Sequence, residues 1–132
     1  MSLAKGKNAC RSCPPKPALA SRTLLSARQA QALESTFKVL GNGTRLRMLH
    51  ALARAGDLGV TELASTLGMK PQAVSNQLQR LADRGIVESR RNGLQVRYSI
   101  LDPCVLILLD RGWCLAEDAQ MRSFERAKGV AS

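Results

Sequence analysis

Residues 60–84, VTELASTLGMKPQAVSNQLQRLADR, hold two short runs of helical apolar spacing separated by a glycine. Leu63 and Leu67 lie four apart in the first run. In the second, Val74, Leu78 and Leu81 follow the four-then-three spacing that puts side chains on one face of a helix. Gly68 permits a tight turn between them. Pro71 suits the first turn of the second helix, where its missing N–H has no intrahelical partner to lose. The pair reads as a helix-turn-helix, with Thr61 expected to cap its first helix and Gly85 to end its second.

The rest of the chain supplies the frame. After Ser26, the positions Ala30, Leu33, Phe37 and Leu40 recur at helical spacing, and Gly41-Asn42-Gly43 is expected to end that element. Residues 44–54 present Leu46, Leu49 and Ala53 on one face, with Gly56 as the stop. Beyond Gly85 the period changes to two at Val96, Tyr98 and Ile100. Ile86, Val87 and Leu94 flank a polar centre containing Asn92-Gly93, a hairpin signal because both residues tolerate positive φ. Asp102 and Pro103 then cap and open a last helix. Its stripe is Val105, Leu109, Trp113 and Ala116, widened by Leu106 and Leu108. A helix this apolar on so small a domain predicts packing against a second copy.

The expected fold is mainly α: a winged helix-turn-helix with a two-stranded β-hairpin wing and terminal helices forming a dimer interface, spanning 23–120. Residues 1–22 read as a flexible basic arm. Three prolines between Pro14 and Pro17 exclude helix there, and Lys5, Lys7, Arg11, Lys16 and Arg22 have no acid to balance them. Residues 121–132 read as a polar C-terminal tail.

Charge points to the partner. Lys and Arg number 20 against 10 Asp and Glu, a formal net charge of +10 on 132 residues. That surplus favours an anionic partner, nucleic acid before a membrane surface. The longest uncharged apolar run, Val105 to Leu109, is far short of the ~20 residues that span a bilayer. Met1 to Pro17 is basic and polar with no apolar core segment, so a cytoplasmic protein is expected. An enzyme is not: there is one histidine, no Gly-rich phosphate loop, and nothing that assembles a nucleophile with a base and an orienting group. His50, beside Leu49 and Leu52, reads as a core or edge histidine.

Opposite Val74, Leu78 and Leu81, the second helix of the pair displays Gln72, Ser75, Asn76, Gln79 and Arg80. Amides pair with adenine edges in the major groove, while hydroxyls and cations meet phosphate. The hairpin adds Arg90, Arg91 and Asn92, with Arg97 beside them, placed to meet a minor groove or backbone. Double-stranded DNA is the expected partner, with an affinity that falls steeply as salt rises.

VLGNGTRLRMLHAL (39–52), TELASTLGMKPQAVSNQLQRLADRGIVESRRNGLQVRYSI (61–100) and the Asp102 helix start together resemble the ArsR/SmtB family of dimeric bacterial repressors, over roughly residues 28–118. The segment resembling the family's DNA-reading helix is Ala73-Val74-Ser75-Asn76-Gln77-Leu78. Gln77 departs from the family, which commonly has His there; a donor and an acceptor remain, but the titratable group is gone. The resemblance implies a homodimer that blocks a promoter and leaves the DNA when an inducer binds. It also bears on where an inducer could sit. Thr61-Glu62-Leu63-Ala64-Ser65 lacks the thiol pair of one family site. For the site on the final helix, Asp102 and Cys104 fall where an Asp and a His would, Cys114 lies within a residue of a second His, and Asp118 is near a Glu.

The four cysteines are Cys10, Cys13, Cys104 and Cys114. Ten helical residues separate Cys104 from Cys114 by about 15 Å along the axis, whereas two thiolates on one ion lie within roughly 4 Å of each other. One chain cannot bring this pair to a single ion. Antiparallel packing of the last helices across a dimer would set Cys104 of one subunit opposite Cys114 of the other. Thiolates without imidazole favour thiophilic ions, with trivalent antimony or arsenic first, then Cd(II), Pb(II) or Hg(II). Cys10 and Cys13 have CxxC metal-ligand spacing. They would be accessory ligands to the first site, or the principal ones for Cd(II), Pb(II) or Hg(II). A thiol-based redox or sulfide switch on the same fold, and a DNA-binding protein without an inducer, stand as alternatives.

Overall fold

The computed structural model describes residues 16–131. Helix α1 (Ala27–Leu40) begins where Ser26 and Gln29 satisfy one another. The Gln29 N–H donates to Ser26 Oγ at 3.1 Å, and the Ser26 N–H donates to Gln29 Oε1 at 2.9 Å. These reciprocal bonds occupy amides that every helix start leaves without a partner. Asn42 plays the corresponding part for α2 (Gly43–Ala55), its Oδ1 accepting from the Arg45 N–H at 3.1 Å. The Gly41-Asn42-Gly43 stretch therefore starts the second helix as well as ending the first.

A two-residue strand, β1 (Leu58–Gly59), leads directly into α3 (Val60–Leu67). That helix starts earlier than a Thr61 cap would require. Gly59 occupies the cap position, and Glu62 Oε1 accepts from its N–H at 3.2 Å. After Leu67 the chain turns through Gly68 in the left-handed region, at φ 66° and ψ 35°. Met69 N–H bonds Ala64 O at 2.9 Å and Gly68 N–H bonds Ser65 O at 3.4 Å, closing the helix end with its carbonyls satisfied. A side chain at Gly68 would cost about 1–2 kcal/mol for that backbone conformation. Four residues after Leu67, α4 (Pro71–Asp83) begins with its proline at the first position.

Strands β2 (Val87–Asn92) and β3 (Gln95–Ile100) form the wing, and β1 adds to the far edge of β3, so the sheet has three antiparallel strands in the order β1-β3-β2. The expected two-stranded hairpin is thereby extended by one short strand. Asn92 pairs with Gln95, which makes Gly93-Leu94 the two-residue loop. Gly93 has φ 67°, and no non-glycine among the described residues has positive φ. Positive φ at the first central position alone is the II′ type of hairpin turn. Asn92, read from the Asn-Gly pair as a turn residue, remains in the strand.

The core of this part joins Leu40 of α1, Met48, Leu49 and Leu52 of α2, Leu63 and Ala64 of α3, Val74, Leu78 and Leu81 of α4, and Ile86 and Val87 at the start of the wing. Two stripes overlap in the α2 sequence, sharing Leu49. Because α2 packs on α3 and β3, the stripe through Met48 and Leu52 is buried, and Leu46 and Ala53, expected inside, are exposed. His50 is exposed as well, which rules out the core position considered for it. On α1, Leu33 and Phe37 lie open. At the wing tip Leu94 is fully exposed rather than part of the apolar face.

The last helix, α5 (Pro103–Ala131), is a separate compact unit from the part ending at Asp102. It is one continuous helix of 29 residues, so the polar stretch from 121 to 131 continues it. Trp113 is 66% exposed, and Leu115, Met121 and Phe124 are similarly open. No helix among the described residues is long and apolar enough to cross a membrane.

Candidate nucleic-acid interface and cysteine sites

The four-three spacing that buries Val74, Leu78 and Leu81 fixes what α4 shows on its other side. Gln72, Asn76, Gln79 and Asp83 recur at four, three and four residues and form one exposed stripe opposite the core. Within the stripe the side chains pair in twos. Gln72 Nε2 donates to Asn76 Oδ1 at 3.0 Å, and Gln79 Nε2 donates to Asp83 Oδ1 at 2.9 Å. Ser75 is half-buried on one flank of the stripe, and Arg80 is exposed on the other. The five residues read from the sequence as one face thus form a central stripe of amides with a hydroxyl and a cation at its borders. Asp83 was not anticipated, although its position four residues after Gln79 is the spacing at which helix side chains meet.

On the wing, Arg90, Arg91 and Asn92 are exposed near the tip. Arg90 makes an ion pair with Glu88 at 3.1 Å, which offsets part of its charge. Arg97 stands opposite Arg90 in the β2–β3 ladder, beside these residues as expected, but its guanidinium is engaged elsewhere. Its Nη2 lies 2.8 Å from Asp57 Oδ1, and its Nη1 pairs with Glu62 at the start of α3. The Asp57 hydrogen bond raises the guanidinium pKa, partial desolvation opposes it, and the negative charges of Glu62 and Asp57 raise it further. Arg97 therefore ties β3 to the β1–α3 corner, a link that no local pattern reveals because Asp57 and Glu62 are 40 and 35 residues away from it.

Cys104 and Cys114 are both exposed on α5. The unbroken helix between them holds the axial separation of about 15 Å. Cys114 Sγ lies 3.9 Å from Asp118 Oδ2, one turn on. Among the described residues no group of three or more His, Cys, Asp or Glu side chains is gathered that could hold a metal ion. Cys10 and Cys13 lie outside the described residues.

A model described as the MarR family matches residues 42–97, the segment from the start of α2 into β3. The chain is 41% identical over 86 residues to the HTH-type transcriptional regulator NmtR of Mycobacterium tuberculosis, covering 65% of this chain and 71% of that protein. Among solved structures, the AntR antimony-specific transcriptional repressor is 55% identical, with a TM-score of 0.69 over 83% of this chain and 99% of AntR. The homodimeric winged helix-turn-helix DNA-binding domain of Mb0332 from Mycobacterium bovis, described as a possible ArsR-family regulator, is 31% identical at a TM-score of 0.64. That match covers 76% of this chain and 95% of the domain. The chain belongs to the ArsR/SmtB family. For an ArsR/SmtB protein, the α3–α4 pair is the helix-turn-helix and β2–β3 the wing.

Proposed function

We propose that this ArsR/SmtB protein is a homodimeric, cytoplasmic repressor that binds operator DNA and is released by a thiophilic metalloid, trivalent antimony or arsenic first. In this reading α4 enters the major groove with Gln72, Asn76 and Gln79 toward base edges. Ser75, Arg80, Arg90, Arg91 and Asn92 contact phosphate or the adjoining groove. Two copies place two such helices at a spacing that matches successive major grooves.

The observation that carries the inducer assignment is the placement of the two α5 cysteines. They are exposed and too far apart to share an ion within one chain. They also lie in a protein 55% identical to an antimony-specific repressor. Cys104 of one subunit and the partner subunit's Cys114 would supply two thiolates, with water or a third thiol completing a pyramidal trivalent ion. Bridging the two subunits favours an arrangement in which the reading helices no longer match the DNA. Only the difference in affinity between the two states acts; a 100-fold loss of occupancy requires about 2.8 kcal/mol of coupling. A second reading, supported by the CxxC spacing of Cys10 and Cys13, makes Cd(II), Pb(II) or Hg(II) the inducer.

The test is release of a fluorescent duplex, selected from random sequence by the parent protein, as antimonite is added to the reduced Cys10→Ser/Cys13→Ser variant. Release that survives in this variant and vanishes on adding Cys104→Ser or Cys114→Ser supports the α5 pair. Loss of the response in the arm variant, with the parent responsive, transfers the site to the arm thiols and moves cadmium, lead and mercury ahead of the metalloids.

A further inference from the structure

Arg45 has no place in the reading stripe or the wing, yet its side chain is fixed at both ends of the guanidinium. Its Nε donates to Gln77 Oε1 at 2.8 Å, and its Nη1 donates to the Val39 carbonyl at 3.0 Å. Both bonds are half-buried, and the first joins positions 32 residues apart. Val39 lies in the last turn of α1, where carbonyls lack intrahelical donors and a cation is favoured. Gln77 lies mid-way along α4, between Asn76 on the reading stripe and Leu78 in the core. One side chain on α2 thus holds the end of α1 and the flank of α4 together.

We infer that Arg45, acting through Gln77, is a positioning residue for DNA reading: it sets the roll of α4 about its own axis. This inference rests on the DNA-reading role proposed above. The apolar contacts of Val74, Leu78 and Leu81 hold the helix against the core but are non-directional, so a small roll costs them little. A hydrogen bond of 2.8 Å to the flank resists that roll. On a helix about 5–6 Å in radius with its side chains, a roll of about 10° moves the stripe by about 1 Å. Hydrogen bonds to base edges weaken steeply over such a displacement.

The chemistry of the link gives it a readable signature. Gln77 has no titratable group, so the acceptor it offers Arg45 does not change with pH. Histidine at position 77 accepts from Arg45 when neutral, but once protonated it has no lone pair to offer and repels the guanidinium. Lys38 of α1, Arg80 and Asp83 of α4, and Arg84 are charged groups that share with Arg45 the lining of an open recess of about 450 Å³. The parent's own His50 is common to every variant.

The experiment measures the Kd of the full-length parent, Gln77→Leu and Gln77→His for a duplex selected by the parent and for a random-sequence duplex, with the thermal midpoint as a folding control. Gln77→Leu is expected to weaken the selected duplex about 5- to 10-fold and leave the random one unchanged. Gln77→His is expected to match the parent near pH 8 and to lose affinity for the selected duplex near pH 5.5. Added positive charge alone would tighten binding there, so the sign separates orientation from electrostatics. Arg45→Met combined with Gln77→Leu should cost no more than the larger single change if Arg45 acts through Gln77. A parent that binds both duplexes equally overturns the DNA-reading role. Selective binding by the parent, with Gln77→Leu equally selective and Gln77→His following the parent at both pH values, overturns the positioning role.

Discussion

Complementation between two damaged subunits tests the cross-subunit cysteine site most directly. Cys104 and Cys114 stand on one helix at an axial separation of about 15 Å, against the roughly 4 Å that a shared ion requires. A symmetric dimer with cross-subunit pairs has two sites, each using Cys104 from one subunit and Cys114 from the other. A Cys104→Ser homodimer keeps no complete pair, and neither does a Cys114→Ser homodimer. A heterodimer of the two keeps one complete pair, because one subunit still has Cys104 and the other still has Cys114. With two affinity tags, the heterodimer can be isolated from co-expressed chains in the Cys10→Ser/Cys13→Ser background. Counting antimony by mass spectrometry after desalting should give about two ions per parent dimer, none for either homodimer variant and about one for the heterodimer. Random mixing without selection makes about half the dimers mixed, so the average should be about one quarter of the parent loading. A heterodimer as empty as the homodimers would refute the geometric argument, as would a Cys104→Ser homodimer that loads fully.

Three further outcomes follow from particular residues. Leu78→Ala removes a fully buried side chain from the core side of α4 and should lower unfolding stability by about 2–5 kcal/mol in a urea titration; a change below about 1 kcal/mol would mean the site collapses around the gap. In plots of log affinity against log salt, Arg91→Gln should reduce the slope by about 0.9, and Arg90→Gln by less because Glu88 already offsets its charge. Equal reductions would show that the Glu88 pair dissolves on binding. Arg97→Gln should speed hydrogen exchange at Leu58 and Gly59 by about tenfold, since it frees β3 from Asp57 and Glu62 at the strand that pairs with both residues. Unchanged exchange there would show that the backbone ladder holds the corner unaided.

What was legible in the sequence is what local rules control. The Val74-Leu78-Leu81 stripe, the Gly68 turn and Pro71 at a helix start each follow from spacing or backbone preference within a few residues, and together they specify the helix-turn-helix. The misplacements came from choices that only a third partner decides. In α2, Leu46-Leu49-Ala53 and Met48-Leu49-Leu52 are equally good helical stripes, and the position of α3 and β3 selects the second. Asn92-Gly93 announces a hairpin, but the register with β3 decides that the loop is Gly93-Leu94. For the proposed DNA-reading site, spacing pointed to the amides of α4 and the wing arginines, which the structure leaves exposed. The links of Arg97 to Asp57 and Glu62 and of Arg45 to Gln77 escaped because they join positions 32 to 40 residues apart, and nothing in a local pattern reports such distances.

The pairing within the α4 stripe bears on how such a protein could change its target. Gln72 with Asn76, and Gln79 with Asp83, form two couples rather than four independent side chains. Each couple spans about 6 Å of helix rise, close to two base-pair steps. In the proposed reading role, replacing Gln72 would alter what it offers a base and also release Asn76 to adopt another rotamer, so a single substitution would blur recognition at neighbouring base pairs together. New sequence preferences would then be reached through paired changes, with the intermediate single mutant less selective than either end point.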